Sequence, residues 1–85
     1  MLFKILKKTA LEVKMNRVNV LISYSIPVAM FDKINMKWYR TSQKWSATTT
    51  KHINEWRKNY TLVPVKWEYL DQSYFDNIFQ EVEDD

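Results

Sequence analysis

The 85-residue sequence contains no glycine and no cysteine, two prolines and one histidine. Each scarcity excludes something. Without cysteine there is no disulfide framework, no thiolate nucleophile and no thiolate zinc site. Without glycine there is no glycine-rich phosphate loop, neither the dinucleotide-binding form nor the P-loop form. The chain also lacks the residue that most readily takes φ > 0 in hairpin turns and helix C-caps. Asparagine is the next choice, so Asn16, Asn35 and Asn59 are expected at such positions. His52 alone cannot supply the several nitrogen ligands of an imidazole zinc site. No apolar run approaches the roughly 20 residues that cross a bilayer. The opening Met1-Leu2-Phe3-Lys4-Ile5-Leu6-Lys7-Lys8 is broken by lysines and lacks the order of a signal peptide. The expectation is a soluble, cytoplasmic protein with no membrane partner and no cofactor.

What the chain does have is aromatic bulk and a segregated charge. Four Trp, five Tyr and four Phe are many for this length. Each ring can bury roughly 150–250 Å², which is how a chain sized for one domain, residues 1–85, closes a core without disulfides. The net charge is +3, but all thirteen Lys and Arg precede residue 67. With Glu12, Asp32 and Glu55 that part carries 13 − 3 = +10, whereas residues 67–85 hold seven acids and no base, −7. Such asymmetry points to an anionic partner for the body, an acidic end that meets a protein, or pairing of the two within one molecule.

Periodicity then divides the chain. Leu11, Val13 and Met15, and again Val18, Val20 and Ile22, alternate with other residues as half-buried strands do, and the second run is expected to extend from Val18 to Ser25 as a central strand. Leu2 to Leu6 is a short strand or lead-in. Pro27 has no N–H to donate, so an edge, bulge or break is expected beside it. Val28 to Phe31 and Met36 to Arg40 are further strands, separated by a turn at Asp32 to Asn35. The spacing of Trp45, Thr49, Ile53, Trp56 and Tyr60 is that of one helix face, with Ser46 as N-cap. Thr61 to Tyr69 follows as an extended segment, in which Leu62, Val63, Val65 and Trp67 around Pro64 are expected to form an edge strand. Asp71 caps a second helix whose stripe is Tyr74, Phe75, Ile78, Phe79 and Val82. The predicted class is α+β: a small antiparallel meander of four to five strands, with helices at about 46–58 and 71–83 packed on one face. The open face left over is a candidate homodimer or partner surface.

Three strings carry a resemblance: Ser23-Tyr24-Ser25-Ile26-Pro27-Val28-Ala29, then Tyr39-Arg40-Thr41, then Lys44-Trp45-Ser46-Ala47-Thr48-Thr49-Thr50-Lys51-His52-Ile53-Asn54-Glu55-Trp56. Together they resemble a family of small bacteriophage and mobile-element proteins of unknown function. That family shares a Tyr-x-Thr-Pro-Val-Ala strand and a Trp-Ser-x-Thr-Thr-Ser-Lys-His-Ile-Asn helix start. The likeness spans roughly residues 18–56. Ile26 and Thr50 depart from it, each standing where the pattern has a hydroxyl residue or serine. The resemblance implies a viral or plasmid origin and brings no catalytic residues.

Candidate sites follow from residue type. Lys37, Tyr39, Arg40, Lys44, Lys51, Arg57 and Lys58 combine phosphate-neutralising cations with an aromatic face, as nucleic-acid surfaces do. The helix start at Ser46 to Thr50 adds free N–H groups that favour anions. Asp71, Asp76, Glu81, Glu83 and Asp84 form a candidate acidic protein-binding surface. His52 is a general-base candidate only if Glu55, one turn on, orients it; an enzyme is not expected. The expected function is a phage-type accessory protein that binds a host macromolecule, with inhibition of a host enzyme or defence system as its effect. The alternative is a nucleic-acid-binding module using the basic body.

Overall fold

Val18, Asn19, Val20 and Leu21 are all buried, so both parities of this strand point into packed surroundings. A strand covered on two faces needs that. In the computed structural model, which describes residues 2–79, the strands are β1 (Leu2–Lys7), β2 (Ala10–Lys14), β3 (Val18–Ser23), β4 (Ile26–Asp32), β5 (Lys37–Thr41) and β6 (Trp67–Leu70). They form one sheet in chain order, β1 to β6. The class is α+β, but the sheet has six strands rather than four or five. It is not a pure meander either, because β6 pairs with β5 in parallel. The helix α1 (Ala47–Lys58) makes the crossover that a parallel neighbour requires.

The two helices lie on opposite faces, which corrects the expectation that they share one. Alternation sorts the partners. Val13 pairs with Val20, Val20 with Met30, and these three pack with Phe75 and Ile78 from the α2 region. The intervening residues Leu21 and Ala29, also cross-strand partners, pack with Phe31 and with Ile53 and Trp56 of α1. Period two makes these alternatives exclusive: a side chain facing α1 cannot face α2. The sheet therefore has no wholly open face. The helix α2 is also shorter than expected, Gln72–Asp76 with Asn77 as its C-cap; Val82 and the rest of 80–83 lie outside the described residues.

Pro27 sits where a proline can. The register slips between Leu21 and Ile22, which pair with Ala29 and Pro27 and leave Val28 as the extra residue of a bulge. The missing glycine is handled differently from expectation. Asn59 caps α1 in the right-handed region at φ −68°. The positive φ angles belong to Tyr24 (50°), Ser25 (68°) and Met36 (57°). Tyr24 and Ser25 are the two loop residues between Ser23 and Ile26, so β3 and β4 join through a turn with both central residues at φ > 0. What holds Tyr24 there is visible: its N–H donates to the Thr9 carbonyl at 2.9 Å, and its ring lies 5.6 Å from that of His52.

Candidate functional site

The carboxyl ends of the parallel strands β5 and β6 open beside the N-terminus of α1. A strand–helix–strand crossover places them so: the chain leaves β5 at Thr41, turns through Ser42 to Ser46 and enters the helix. Ser46 caps it, its hydroxyl accepting from the Thr49 N–H at 3.2 Å. The N–H groups of Ala47 and Thr48 have no acceptor within the helix, because the first turn never does. The result is a groove of about 350 Å³ lined by Arg40, Lys44, Trp45, Tyr69 and, from the helix start, Ser46, Ala47, Thr49 and Thr50. No Asp or Glu lines it. Two cations and the positive end of a helix dipole therefore act there without an opposing carboxylate.

Arg40 is the central residue. It pairs with Tyr69 across β5 and β6, and its guanidinium carbon lies 5.5 Å from the ring centres of both Trp67 and Tyr69. Its Nε is buried with no hydrogen-bond partner among the described residues. Two rings within cation–π distance hold the guanidinium, and a preorganised fork is what bidentate phosphate or carboxylate recognition uses. Tyr69 is 61% exposed and Trp45 38% exposed, so aromatic surface flanks the cations. Trp45 is held by its indole N–H, which donates to Gln72 Oε1 at 3.1 Å. Gln72 in turn donates to the Pro27 carbonyl at 2.8 Å and to Asp76 at 3.0 Å.

Of the seven predicted anion contacts, Arg40 and Lys44 meet in this groove. Lys51 is exposed on the second turn of α1 and lies 4.0 Å from Glu55. The others do not join them. Lys37 is exposed at the opposite end of β5. Tyr39 points to the other face, half-buried against the α2 cluster, and its hydroxyl is pushed above the ordinary value by burial and then by Glu68. Arg57 is spent internally, donating to the Thr61 carbonyl at 2.9 Å. Lys58 is exposed at the far end of α1. Tyr69 was missed by sequence reasoning, because only the parallel pairing of β6 brings it beside Arg40.

The acidic surface is not assembled among the described residues. Asp71 caps α2, accepting from the Ser73 N–H at 3.3 Å and from its hydroxyl at 2.6 Å. These bonds hold its carboxyl below the usual range. Asp76 accepts from Gln72. Glu81, Glu83 and Asp84 lie outside the described residues. Ion pairs among the described residues join Lys7 and Lys51 to Glu55. None reaches α2, so the internal pairing of basic body and acidic helix is not made there.

His52 is buried, its Nδ1 at 2.8 Å from Ser23 Oγ and its Nε2 at 3.4 Å from Thr9 Oγ1. Ser23 Oγ also lies 3.1 Å from Thr49 Oγ1. Burial first, then Lys7, pulls the imidazole below its ordinary value, so the ring is neutral at pH 7. Glu55, the expected orienting carboxylate, is engaged by Lys7 and Lys51 instead. A second buried network sits at the other end of α1. Glu12, 2% exposed, accepts from Trp56 Nε1 at 2.8 Å and from the Tyr60 hydroxyl. Tyr60 accepts from Asn19 at 2.9 Å, and its own ionisation is pushed up by burial and then by Glu12. Among the described residues no three His, Asp or Glu converge as metal ligands, and no helix is long and apolar enough to cross a membrane.

Comparison with curated proteins and with solved structures finds no match to this chain. A family model does match, over residues 3–76, and so spans the six strands except Leu2, together with α1 and α2. The chain belongs to that family, a family of unknown function designated DUF8033.

Proposed function

We propose that the chain is an accessory protein of a phage or mobile element that binds single-stranded nucleic acid in the groove between α1 and the β5–β6 edge. One observation carries this: Arg40, Lys44 and the free N–H groups of α1 share an acid-free groove with the exposed rings of Trp45 and Tyr69. Cations and helix N–H groups suit phosphates, and exposed rings suit unpaired bases, whose stacking contributes roughly 1–3 kcal/mol each. Such binding tolerates any sequence, because every base has a π-face.

The test is the affinity of a labelled twelve-nucleotide oligothymidine, measured by anisotropy from low to moderate salt. Binding is expected to weaken steeply as salt rises, since each neutralised phosphate releases counterions. Tyr69→Ala is expected to cost about 1–3 kcal/mol of affinity, and Lys44→Glu to flatten the salt dependence. Lys58→Glu, at the far end of α1, is the control and should change little. Absence of binding at low salt, or equal loss in all three variants, sinks the proposal.

A further inference from the structure

We propose that β1 is a docking edge for an extended segment of another protein, one that alternates apolar and acidic residues. β1 ends the sheet, hydrogen-bonded to β2 alone, so one row of its backbone groups is free to pair with an added strand. Its two faces differ. Phe3 and Ile5 pair with Val13 and Leu11, which places them on the α2 face. The helix packs over Val13, Val20 and Met30 and stops short of the edge, leaving Phe3 68% and Ile5 80% exposed. Beside Ile5 an open depression of about 430 Å³, lined also by Leu11, Ile22 and Tyr24 and, at its turn end, by Lys7 and Lys8, can seat an incoming apolar side chain. On the other face Lys4 pairs with Glu12, but that carboxylate is buried and engaged by Trp56 and Tyr60. Lys4 and Lys14, which line that face together, make no ion pair among the described residues, while Lys7 uses Glu55. A strand laid along β1 thus meets apolar surface on one side and unpaired cations on the other, and the pleat makes it present alternate residues to each.

The same charges argue against a second copy as the occupant. Antiparallel pairing of β1 with itself brings Lys4 opposite, or diagonal to, its own counterpart, and like charges so placed are destabilising. Lysine on an edge strand is a recognised barrier to self-association. An acidic partner turns that barrier into attraction. This site is separate from the α1 groove.

The experiment uses the full chain and three blocked eight-residue peptides: valine alternating with glutamate, valine alternating with lysine, and serine alternating with glutamate. The valine–glutamate peptide is expected to bind at least about tenfold more tightly than either control, a gap of about 1.4 kcal/mol. It should also slow amide exchange across Leu2 to Leu6. Lys4→Gln and Ile5→Ser, both at exposed positions, should each weaken it about tenfold while the melting temperature stays within a few degrees. Lys44→Glu, in the other groove, should leave it unaffected, so failure here and failure of the nucleic-acid proposal are separable. The inference is overturned if no peptide binds near millimolar concentration, if all three bind alike, or if protection maps away from β1. It is equally overturned if sedimentation shows β1 occupied by a second copy.

Discussion

His52 shows how a single side chain ties this small domain together. Both ring nitrogens are engaged, by Ser23 of β3 and by Thr9 of the β1–β2 turn. A neutral imidazole donates from one nitrogen and accepts at the other, and hydroxyls adapt to either tautomer. Protonation would make both nitrogens donors beside Lys7 and Lys51, which already disfavour the cation; Glu55 opposes them. The folded pKa lies below the ordinary 6.5 because burial dominates. Between the two values the unfolded chain binds more protons than the folded one, so stability rises with pH across that window. It is complete above about pH 6.5 and falls as pH drops towards the folded value. Thermal melts from pH 8 to pH 5 are expected to show that loss, with a shallower slope in His52→Gln. Equal slopes in the two proteins contradict it. Neighbouring Ile53 sits on a helix face readable from spacing, and packing of His52 against the sheet follows from that. Its hydroxyl partners do not, since Thr9 and Ser23 are brought to it by a hairpin and a sheet far away in sequence. The same limit applies at Tyr24 and Ser25, whose left-handed turn is set by two-residue hairpin geometry against their own preference.

At the scale of elements, α1 was legible almost to its ends. The spacing of Thr49, Ile53 and Trp56 is the buried face, and Ser46 is the N-cap. β2, β4 and β5 lie close to where alternation places them, whereas β3 ends at Ser23 and not at Ser25, because Tyr24 and Ser25 make the hairpin turn. The failures concern how elements meet. The helices were expected on one face because each has one apolar stripe. Yet the deciding sign was in β3, where Val20 and Leu21 are consecutive and both fully buried. A strand solvated on one side would alternate cleanly. Opposite faces carry an energetic consequence. Ile53 and Phe75 belong to separate clusters divided by the sheet, so truncating both should cost nearly the sum of the single changes. Ile53→Val is expected to cost about 0.5–1.5 kcal/mol and Phe75→Leu to cost less than the about 3–5 kcal/mol of full truncation to alanine. Denaturant titration of the double variant should agree with the sum within about 0.5 kcal/mol. Coupling well above that would place both helices over one core. The parallel pairing of β6 was illegible for a different reason. Four residues, Trp67 to Leu70, carry no directional signal, and only the crossover length through α1 bears on it.

At the largest scale the governing quantity is the positive charge of the described part, within a full-chain net charge of +3. Residues 2–79 contain thirteen Lys and Arg against six acids, Glu12, Asp32, Glu55, Glu68, Asp71 and Asp76. The ion pairs among them both use Glu55. Glu12 is buried under Trp56 and Tyr60, Asp32 and Asp71 hold a turn and a cap, and Asp76 accepts from the Gln72 side chain. Self-repulsion among the cations therefore opposes the compact state, and screening relieves it. Added sodium chloride is expected to raise the melting temperature and then level off; a domain held together by surface ion pairs would show the reverse. A polyanion separates general screening from a site. At matched ionic strength, oligothymidine bound in the α1 groove adds RT ln(1 + [L]/Kd), about 2.7 kcal/mol at a hundred times Kd. For a domain of this size that corresponds to a rise of roughly 10–20 °C. Tyr69→Ala and Lys44→Glu should remove most of that increment while keeping the chloride response. If the two variants melt with the same oligonucleotide increment as the parent, the stabilisation belongs to the whole positive field and not to the groove.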